Sequence, residues 1–503
     1  MLKYRVKPID VDLEDNIVVI NEEDAKRSGL TSGSRVFLVD SGKPVPAVVG
    51  LSRTLVGPGE VLVPVKVLRS LGLSEGEYLQ IKPLALPSSL PYLRKRLVGE
   101  RLSDTEIMEI VSEIVEGIYD DAGITAFIVS QLVHGLSEAE LSALIKAMVE
   151  TGERVAFEET VYDEHSIGGV PGNSKVALLA VPIVAAAGLL IPKTSSRAIT
   201  SPSGTADTME VLANVEFEPE ELKEIARKTR GLIAWGGKLN LAPADDIFVR
   251  VERKLGIDPH HQMVASILSK KLAMNVSKLV IDIPVGTGAK IETMSEAEHI
   301  AALFITQATR LGLTLKVVMT FGGQPIGRTA GPALEAREAL QTLMERKGSL
   351  SLVEKAFGLA GILLELSGRV PQGKGFEAAR SIFESGKAYE KFKEIVKAQG
   401  GNPEVKPGDI EVGKYSFTLQ SPAEGAVTHV DNMAVTMIAR AAGAPEDKGA
   451  GVYLHVKTGY RVSKGDPILT IYSNSESRLN EAVALAAKYS PIVVEGMLLK
   501  LLP

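Results

Sequence analysis

The sequence predicts a multidomain α/β protein with a small N-terminal β-barrel, a helical lobe, a large α/β lobe and a C-terminal α+β domain. Three observations predict it. The chain's 503 residues exceed what one hydrophobic core supports. Its patterning changes character along its length, from short alternating strands to helical periodicity, then to apolar strands between helices, then back to alternation. Its middle, from Asp163 to Glu210, carries one long apolar segment bracketed by two runs rich in Gly, Ser, Thr and Pro.

A hydrophobic content of 45% and a charged content of 23% are those of an ordinary globular protein rather than a disordered one. The net charge of −6 disfavours non-specific nucleic-acid binding, so no nucleic-acid partner is expected. There is no Cys, which excludes disulfides, thiolate metal sites and a thiol nucleophile. The opening run MLKYRVKPIDVDLEDN lacks the apolar core of a secretory signal. A soluble, cytoplasmic protein with no membrane partner is expected.

Residues 1–84 alternate over YRVKPIDVD, NIVVIN, SRVFLVD, PVPAVVGL, EVLVPV and YLQIKP, which read as strands. Gly29-Leu30-Thr31-Ser32-Gly33 returns as Gly72-Leu73-Ser74-Glu75-Gly76, each copy lying between a short helical stretch and a strand. That repeat predicts a pseudo-twofold barrel resembling double-psi barrels, a module for packing or homo-oligomerisation, dimer or larger. Leu84 to Ser89 reads as a linker. Residues 85–156 are assigned to the helical lobe, and within them 90–155 show helical spacing, with Leu102, Ile107, Ile110, Val111, Ile114 and Ile118 at three- and four-residue steps. Capping boxes at Ser103/Glu106 and Ser137/Glu140 open two helices.

From 157 to 244 and from about 276 to 405 apolar strands alternate with helices; Gly231–Trp235, Lys278–Ile283 and Thr314–Thr320 are candidate strands, the last two doubly covered. The intervening stretch of about 245–275, with its helix over 258–275, is expected to return to the helical lobe and face a cleft. Residues 406–503 alternate again over 415–420, 425–430, 451–456 and 467–472.

The two small-residue runs within 163–210 suit an anion: Gly lets backbone N–H groups approach an oxyanion, and Ser and Thr add hydroxyl donors. The apolar run between them, Val176 to Pro192, contains Pro182 and Gly188 and falls short of the roughly 20 residues of a membrane span. It reads as a buried helix.

The run Ser195-Ser196-Arg197-Ala198-Ile199, then Pro202-Ser203-Gly204-Thr205, Asp207 and Met209-Glu210, resembles the signature of thymidine and pyrimidine-nucleoside phosphorylases. His165-Ser166-Ile167-Gly168-Gly169-Val170 is similar to their first phosphate loop, and the segments 265–272 and 285–289 match their A-S-I-L-[SA]-K-K-L and V-G-[ST]-G-A blocks in order. Four departures stand out. Glu164 replaces the loop's Lys, two extra residues separate His165 from Lys175, Ala177 replaces a phosphate-binding Ser, and Lys290 stands where Phe is usual. Together with the N-terminal extension they point to the branch that takes nucleoside 5′-monophosphates.

The resemblance implies phosphorolysis of AMP, and of CMP and UMP, to free base and ribose 1,5-bisphosphate, which would feed an isomerase and an archaeal ribulose-bisphosphate carboxylase. It implies no metal or organic cofactor; inorganic phosphate is a co-substrate. Cleaving an N-glycosidic bond builds oxocarbenium character on the ribose, so an anion beneath C1′ and a proton for the base are needed. By resemblance Ser166, Ser195 and Thr205 bind phosphate, and substrate lies along Gly168, Thr194, Ser195, Ser196, Arg197, Ala198, Ile199, Ser203 and Thr205. Asp258 is the implied proton donor, although an Asp before Pro also suits a helix cap. His165 joins it at the base or ribose. Ser266 and Lys270 face the base from one helix, and Arg250 contacts it, with Arg253 left open by one inserted residue. Lys290 is expected to meet the 5′-phosphate. His260-His261 is no metal site, because adjacent helical residues diverge and no carboxylate or His completes a set at i+3 or i+4.

Three competing readings remain: a nucleoside phosphorylase for unphosphorylated substrates, a phosphoribosyltransferase of the anthranilate type, and a non-catalytic assembly protein. The second needs an acidic pair for Mg²⁺. The third has no use for phosphate loops.

Overall fold

Alternating apolar residues in the first 83 positions build six strands and two short helices: β1 (Lys3–Ile9), β2 (Ile17–Asn21), α1 (Glu22–Ser28), β3 (Arg35–Val39), β4 (Val45–Ser52), β5 (Glu60–Pro64), α2 (Val65–Leu71) and β6 (Tyr78–Pro83). The structure, a computed structural model, describes residues 3–13, 16–40, 42 and 44–496. The strands close into a barrel in the order β1-β5-β2-β4-β3-β6. Exchanging β1 with β4, β2 with β5 and β3 with β6 interchanges the parallel pairs β1–β5 and β2–β4 and the antiparallel pairs β1–β6 and β3–β4, and maps β2–β5 and β3–β6 onto themselves. The sequence repeat is therefore a repeat of topology. Its Gly29 and Gly72 end α1 and α2 in the left-handed conformation, φ 70° and 67°, which only glycine adopts freely.

The helical segment follows as α3 (Leu90–Leu97), α4 (Asp104–Val115), α5 (Asp121–His134) and α6 (Glu138–Glu150). Both expected capping boxes form, at Ser103/Glu106 and at Ser137/Glu140. The linker is pinned at its end, where the Glu113 carboxylate accepts the N–H groups of Ser88 and Ser89 at 2.8 and 3.1 Å. Arg35 of the barrel donates to the carbonyls of Ile118 and Gly117. Residues Met1–Ala147 and Ile247–Ile257 form one compact unit, and Met148–Asp246 with Asp258–Pro503 the other.

The second unit contains β7 (Val161–Ser166), α7 (Val176–Ala186), β8 (Ile191–Ser195), α8 (Thr205–Glu210), α9 (Pro219–Thr229) and β9 (Gly231–Trp235). After α10 (Pro243–Leu255) come α11 (His260–Ala273), β10 (Val276–Val285), α12 (Met294–Arg310), β11 (Thr314–Phe321), β12 (Thr329–Ala330), α13 (Pro332–Glu345), α14 (Leu350–Leu366), α15 (Gly375–Glu384) and α16 (Lys387–Ala398). The strands β11-β10-β7 and β8-β9 are parallel, and β7 touches β8 through a parallel bridge at Val161 and Leu190. Helix α7 is buried along its whole length under α13, α14 and α16.

Three expectations are corrected. The run Val176 to Pro192 is not one helix: α7 stops at Ala186, Gly188 turns the chain at φ 82°, and Ile191 begins β8. The strand over 314–320 is not covered on both faces but is the edge of its sheet, and Phe321 at its end is exposed. The helix over 258–275 does not join the helical lobe; α11 belongs to the second unit, because buried Lys271 pairs with Asp163 of β7 and the Val155 N–H bonds the Ala273 carbonyl.

The C-terminal part adds β13 (Tyr415–Gln420), β14 (Gly425–Val430), α17 (Asn432–Ala441), β15 (Gly451–Leu454), β16 (Arg461–Val462), β17 (Pro467–Ser473), α18 (Glu476–Tyr489) and β18 (Ile492–Glu495). These form the sheets β12-β15-β17-β13 and β16-β14-β18. Among the described residues no helix is long and apolar enough to cross a membrane.

Candidate active site

The two small-residue loops converge. The first runs from the end of β7 into α7, the second from the end of β8 into α8, so a parallel pair of strand ends delivers both to one edge of the sheet. The Thr205 hydroxyl donates to the Ser174 carbonyl at 3.2 Å, and the Ser174 hydroxyl meets Thr208 at 2.9 Å and bonds Glu335. Ser203 reaches the same Thr208 at 2.8 Å. In the first loop the Gly168 N–H bonds the Ser166 hydroxyl at 3.3 Å, and Gly168 and Gly169 both have positive φ. A Cβ on Gly169 would fall 2.3 Å from the Cβ of Lys290, so this loop lies directly on the 286–290 turn.

Asp207 shapes the second loop. Its Oδ2 accepts the N–H groups of Ala198 and Gly204 at 2.7 and 3.0 Å, folding the chain so tightly that a Cβ at Gly204 would meet the Ser196 carbonyl at 2.7 Å. Arg197 is committed to this scaffold. Its guanidinium forks onto Glu210 at 2.6 Å, reaches Glu216 at 3.0 Å and lies over Trp235, 4.8 Å from the ring centroid. The hydrogen bonds from Arg197, assisted by Lys448 and working against burial, hold the Glu210 carboxyl at about 2. Arg197 thus braces this loop through the carboxylates of Glu210 and Glu216.

The remaining residues of that stretch fall as follows. Among the described residues the Ser195 hydroxyl finds only the Ser196 carbonyl, at 3.4 Å, and Ser196 is exposed. Thr194 is buried, with its hydroxyl making no hydrogen bond among the described residues. Ile199 is exposed, and its carbonyl accepts from Arg440 at 3.2 Å.

Behind the loops runs a buried row of charges. Lys271 Nζ bonds Asp163 at 2.7 Å; Lys193 sits 3.6 Å from both Asp163 and Glu164; Lys355 meets Asp282 at 2.8 Å. Burial lowers Lys271 to about 8 in spite of Asp163. Burial works equally against the charge of Lys193, but Asp163 and Glu164 outweigh it and keep this ammonium protonated. Glu164 itself is pushed up by burial. His165, next along β7, is held well below its ordinary value by burial and then by Lys271, Lys193, Lys270 and Lys290. It is a neutral imidazole, and its Nδ1 makes no hydrogen bond among the described residues.

Helix α11 carries Ser266 and Lys270 one turn apart. Lys270 pairs with buried Asp245 at 2.5 Å. Asp258 precedes this helix but does not cap it: the N-cap is Pro259, with no side-chain capping bond, and the Asp258 carboxylate is bonded by the Lys290 ammonium instead. The helix-cap reading of Asp258 is thus set aside. Arg250 lies in the first unit, where it bonds Asp121 at 2.7 Å, and Arg253 lies there too.

Sequence reasoning missed Asp207, Lys193, Lys271, Asp163 and Asp245. Asp207 stood in the quoted signature and could have been found there, since an Asp three residues after a Gly-led helix start suits a loop-closing carboxylate. Lys271 likewise stood in the quoted A-S-I-L-[SA]-K-K-L block, whereas Asp163, Lys193 and Asp245 carry no such signal.

A helical bundle followed by an α/β domain with paired small-residue loops defines a pentose-transferring enzyme of the glycosyl transferase class. Family models agree: residues 90–152 match the glycosyl transferase family helical bundle domain, 158–389 its a/b domain, and 426–493 the pyrimidine nucleoside phosphorylase C-terminal domain. The crystal structure of an anthranilate phosphoribosyltransferase from Thermus thermophilus aligns with 61% of this chain and 99% of its own at a TM-score of 0.53 and 20% identity, a likeness of fold alone. The AMP phosphorylase of Hyperthermus butylicus is 56% identical over 504 residues, with 99% of each chain covered. Those of Methanocaldococcus jannaschii and Thermococcus kodakarensis are each 50% identical, again with 99% of both chains covered. The chain belongs to the AMP phosphorylase family.

Proposed function

We propose that this protein phosphorolyses AMP, with phosphate displacing adenine at C1′ to give ribose 1,5-bisphosphate. The observation that carries the reading is Lys290, whose main chain rests against Gly169 of the first phosphate loop and whose side chain is 25% exposed there. A cation at that point suits a 5′-phosphate, where the nucleoside-cleaving members of the resembled family carry Phe.

In this reading Ser166, Ser195 and Thr205, with N–H groups of both loops, hold phosphate beneath C1′. Gly168, Thr194, Ser196, Ala198, Ile199 and Ser203 shape the surroundings of the ribose. Neutral His165 accepts or donates one hydrogen bond to ribose or base, and Ser266 and Lys270 orient the base. Asp258 gives the base its proton. Bringing phosphate, ribose and acid into line supplies most of the rate, because the chemistry itself needs only displacement and one proton. No metal or organic cofactor enters. CMP and UMP are further substrates, and the product suits an isomerase that feeds an archaeal ribulose-bisphosphate carboxylase.

We read the barrel as a double-psi barrel that serves homo-oligomerisation, and the protein as cytoplasmic.

The test is adenine release from AMP and from adenosine, each with and without phosphate. Release from AMP that requires phosphate is expected. Faster release from adenosine would make this a nucleoside phosphorylase, and release without phosphate would make it a hydrolase.

A further inference from the structure

Lys290 and Asp258, given roles at opposite ends of the substrate, hold each other: the Lys290 ammonium bonds the Asp258 carboxylate. The side chains are 25% and 53% exposed, so this is a solvent-accessible pair that a competing anion displaces readily. The lysine's main chain cannot follow such an anion. Gly169 packs on it so closely that a Cβ there would come within 2.7 Å of the Lys290 nitrogen, the Ala289 N–H bonds the Gly286 carbonyl at 3.0 Å, and the Gly288 N–H bonds Glu292 at 3.0 Å. Only the four-carbon stem is free to swing.

We propose that the nucleotide's own 5′-phosphate arms the acid: by drawing the Lys290 ammonium away from Asp258, it frees that carboxyl to take up a proton and pass it to the departing base. The inference rests on the roles of Lys290 and Asp258 stated under Proposed function. Bonded to the Lys290 ammonium, the Asp258 side chain is committed to that partner and is not available to the base. Replacing the ammonium by a phosphate dianion favours the neutral acid, since a nearby like charge disfavours ionisation.

The step balances without another reactant. The carboxyl proton moves to a ring nitrogen of the base as the C1′–N bond breaks, its electron pair staying with the base. A phosphate oxygen forms the new C1′–O bond. The proton shed by the entering hydrogen phosphate restores the carboxyl. A nucleoside lacking the 5′-phosphate leaves Lys290 on Asp258, so discrimination against it falls on kcat and not on binding alone.

Steady-state phosphorolysis of AMP and of adenosine by the wild type, Lys290→Met and Lys290→Met/Asp258→Asn tests this. The coupling predicts that Lys290→Met raises KM for AMP yet raises kcat for adenosine about tenfold, the worth of one charge-assisted bond, and that Asp258→Asn abolishes the gain. A kcat on adenosine that is unchanged or lower in Lys290→Met makes the lysine a phosphate clamp only and overturns the coupling. A second measurement covers a variant that does not fold: wild-type turnover of adenosine at saturating phosphate, with phosphite dianion added as a detached 5′-phosphate. Acceleration is expected, and its absence overturns the proposal. A wild type that releases no adenine from AMP at all would instead remove the proposed function on which the coupling rests.

Discussion

Lys271 Nζ lies 2.7 Å from Asp163 Oδ2 and 3.1 Å from the Thr194 carbonyl, so one buried ammonium ties α11 to the strands from which both small-residue loops spring. Removing one partner of a buried pair leaves an uncompensated charge and costs about 3–5 kcal/mol. Asp163→Asn is expected to lower unfolding stability by about 3 kcal/mol in urea titrations at pH 7, and adding Lys271→Met should recover part of it. Because folding lowers Lys271 to about 8, its ammonium is present in the fold only below that pH. Without Asp163 to raise it, Lys271 loses its proton in the variant at a pH below 8, so the deficit of Asp163→Asn should be full in acid and shrink as pH rises towards 8. A deficit independent of pH would mean that the pair is not an ion pair.

Lys270 takes its position from Asp245, 2.5 Å away and 2% exposed as a side chain. Burial opposes the Lys270 charge, and Asp245 more than offsets it. Asp245→Asn frees the ammonium to swing off the helix face, and kcat/KM for AMP is expected to fall about tenfold, the loss of one charge-assisted hydrogen bond. Initial-rate measurements alongside a thermal melt check it; a lower melting temperature with unchanged kcat/KM would make the pair purely structural.

The loop brace titrates in acid. Glu210 is depressed to about 2 from an ordinary 4.5, with Arg197 the first cause. A depressed carboxyl stabilises the fold above its unfolded value and loses that contribution as pH falls from 4.5 towards 2. Since both side chains of the pair are 30% exposed, its worth is discounted for solvent screening to about 1 kcal/mol. Glu210→Gln should be less stable than wild type at pH 7 by that amount and equal to it near pH 2, measured by chemical denaturation at both values.

Asp258→Asn should retain AMP binding and lose at least about 10²-fold in kcat, the usual contribution of a positioned general acid. Isothermal titration and steady-state kinetics separate the two quantities. A near-normal kcat would leave Asp258 as no more than the partner of Lys290.

Deleting residues 1–84 should lower the assembly size while leaving phosphorolysis per subunit detectable. The barrel has its own closed core of Val, Ile and Leu side chains and lacks any cluster of reactive groups among its described residues. Light scattering that gives the truncated and full-length chains the same oligomeric order would refute the assembly role.

The barrel strands were readable because a half-buried strand writes its two faces into a period of two, and the repeat at Gly29 and Gly72 was readable because a left-handed helix end needs glycine wherever it occurs. The small-residue loops were readable for a related reason: close backbone approach admits few residue types. Local rules of this kind operate over a few positions, so the sequence by itself determined the elements, the loops and the family likeness. It could not determine which charges would be buried. Lys271 and Lys270 are neighbours on one helix with the same chemistry. Yet Lys271 is sealed under β7 and β8 against Asp163, while Lys270 reaches Asp245 from a partly open face, and that division depends on strands more than 70 residues away. The carboxylate partners of Arg197, Glu210 and Glu216, are likewise brought to it only by the fold of the loop around Asp207. The cost of burying a charge is set by whatever surrounds it in three dimensions, and so the partners of Lys290 and Asp258 were decided by tertiary structure alone.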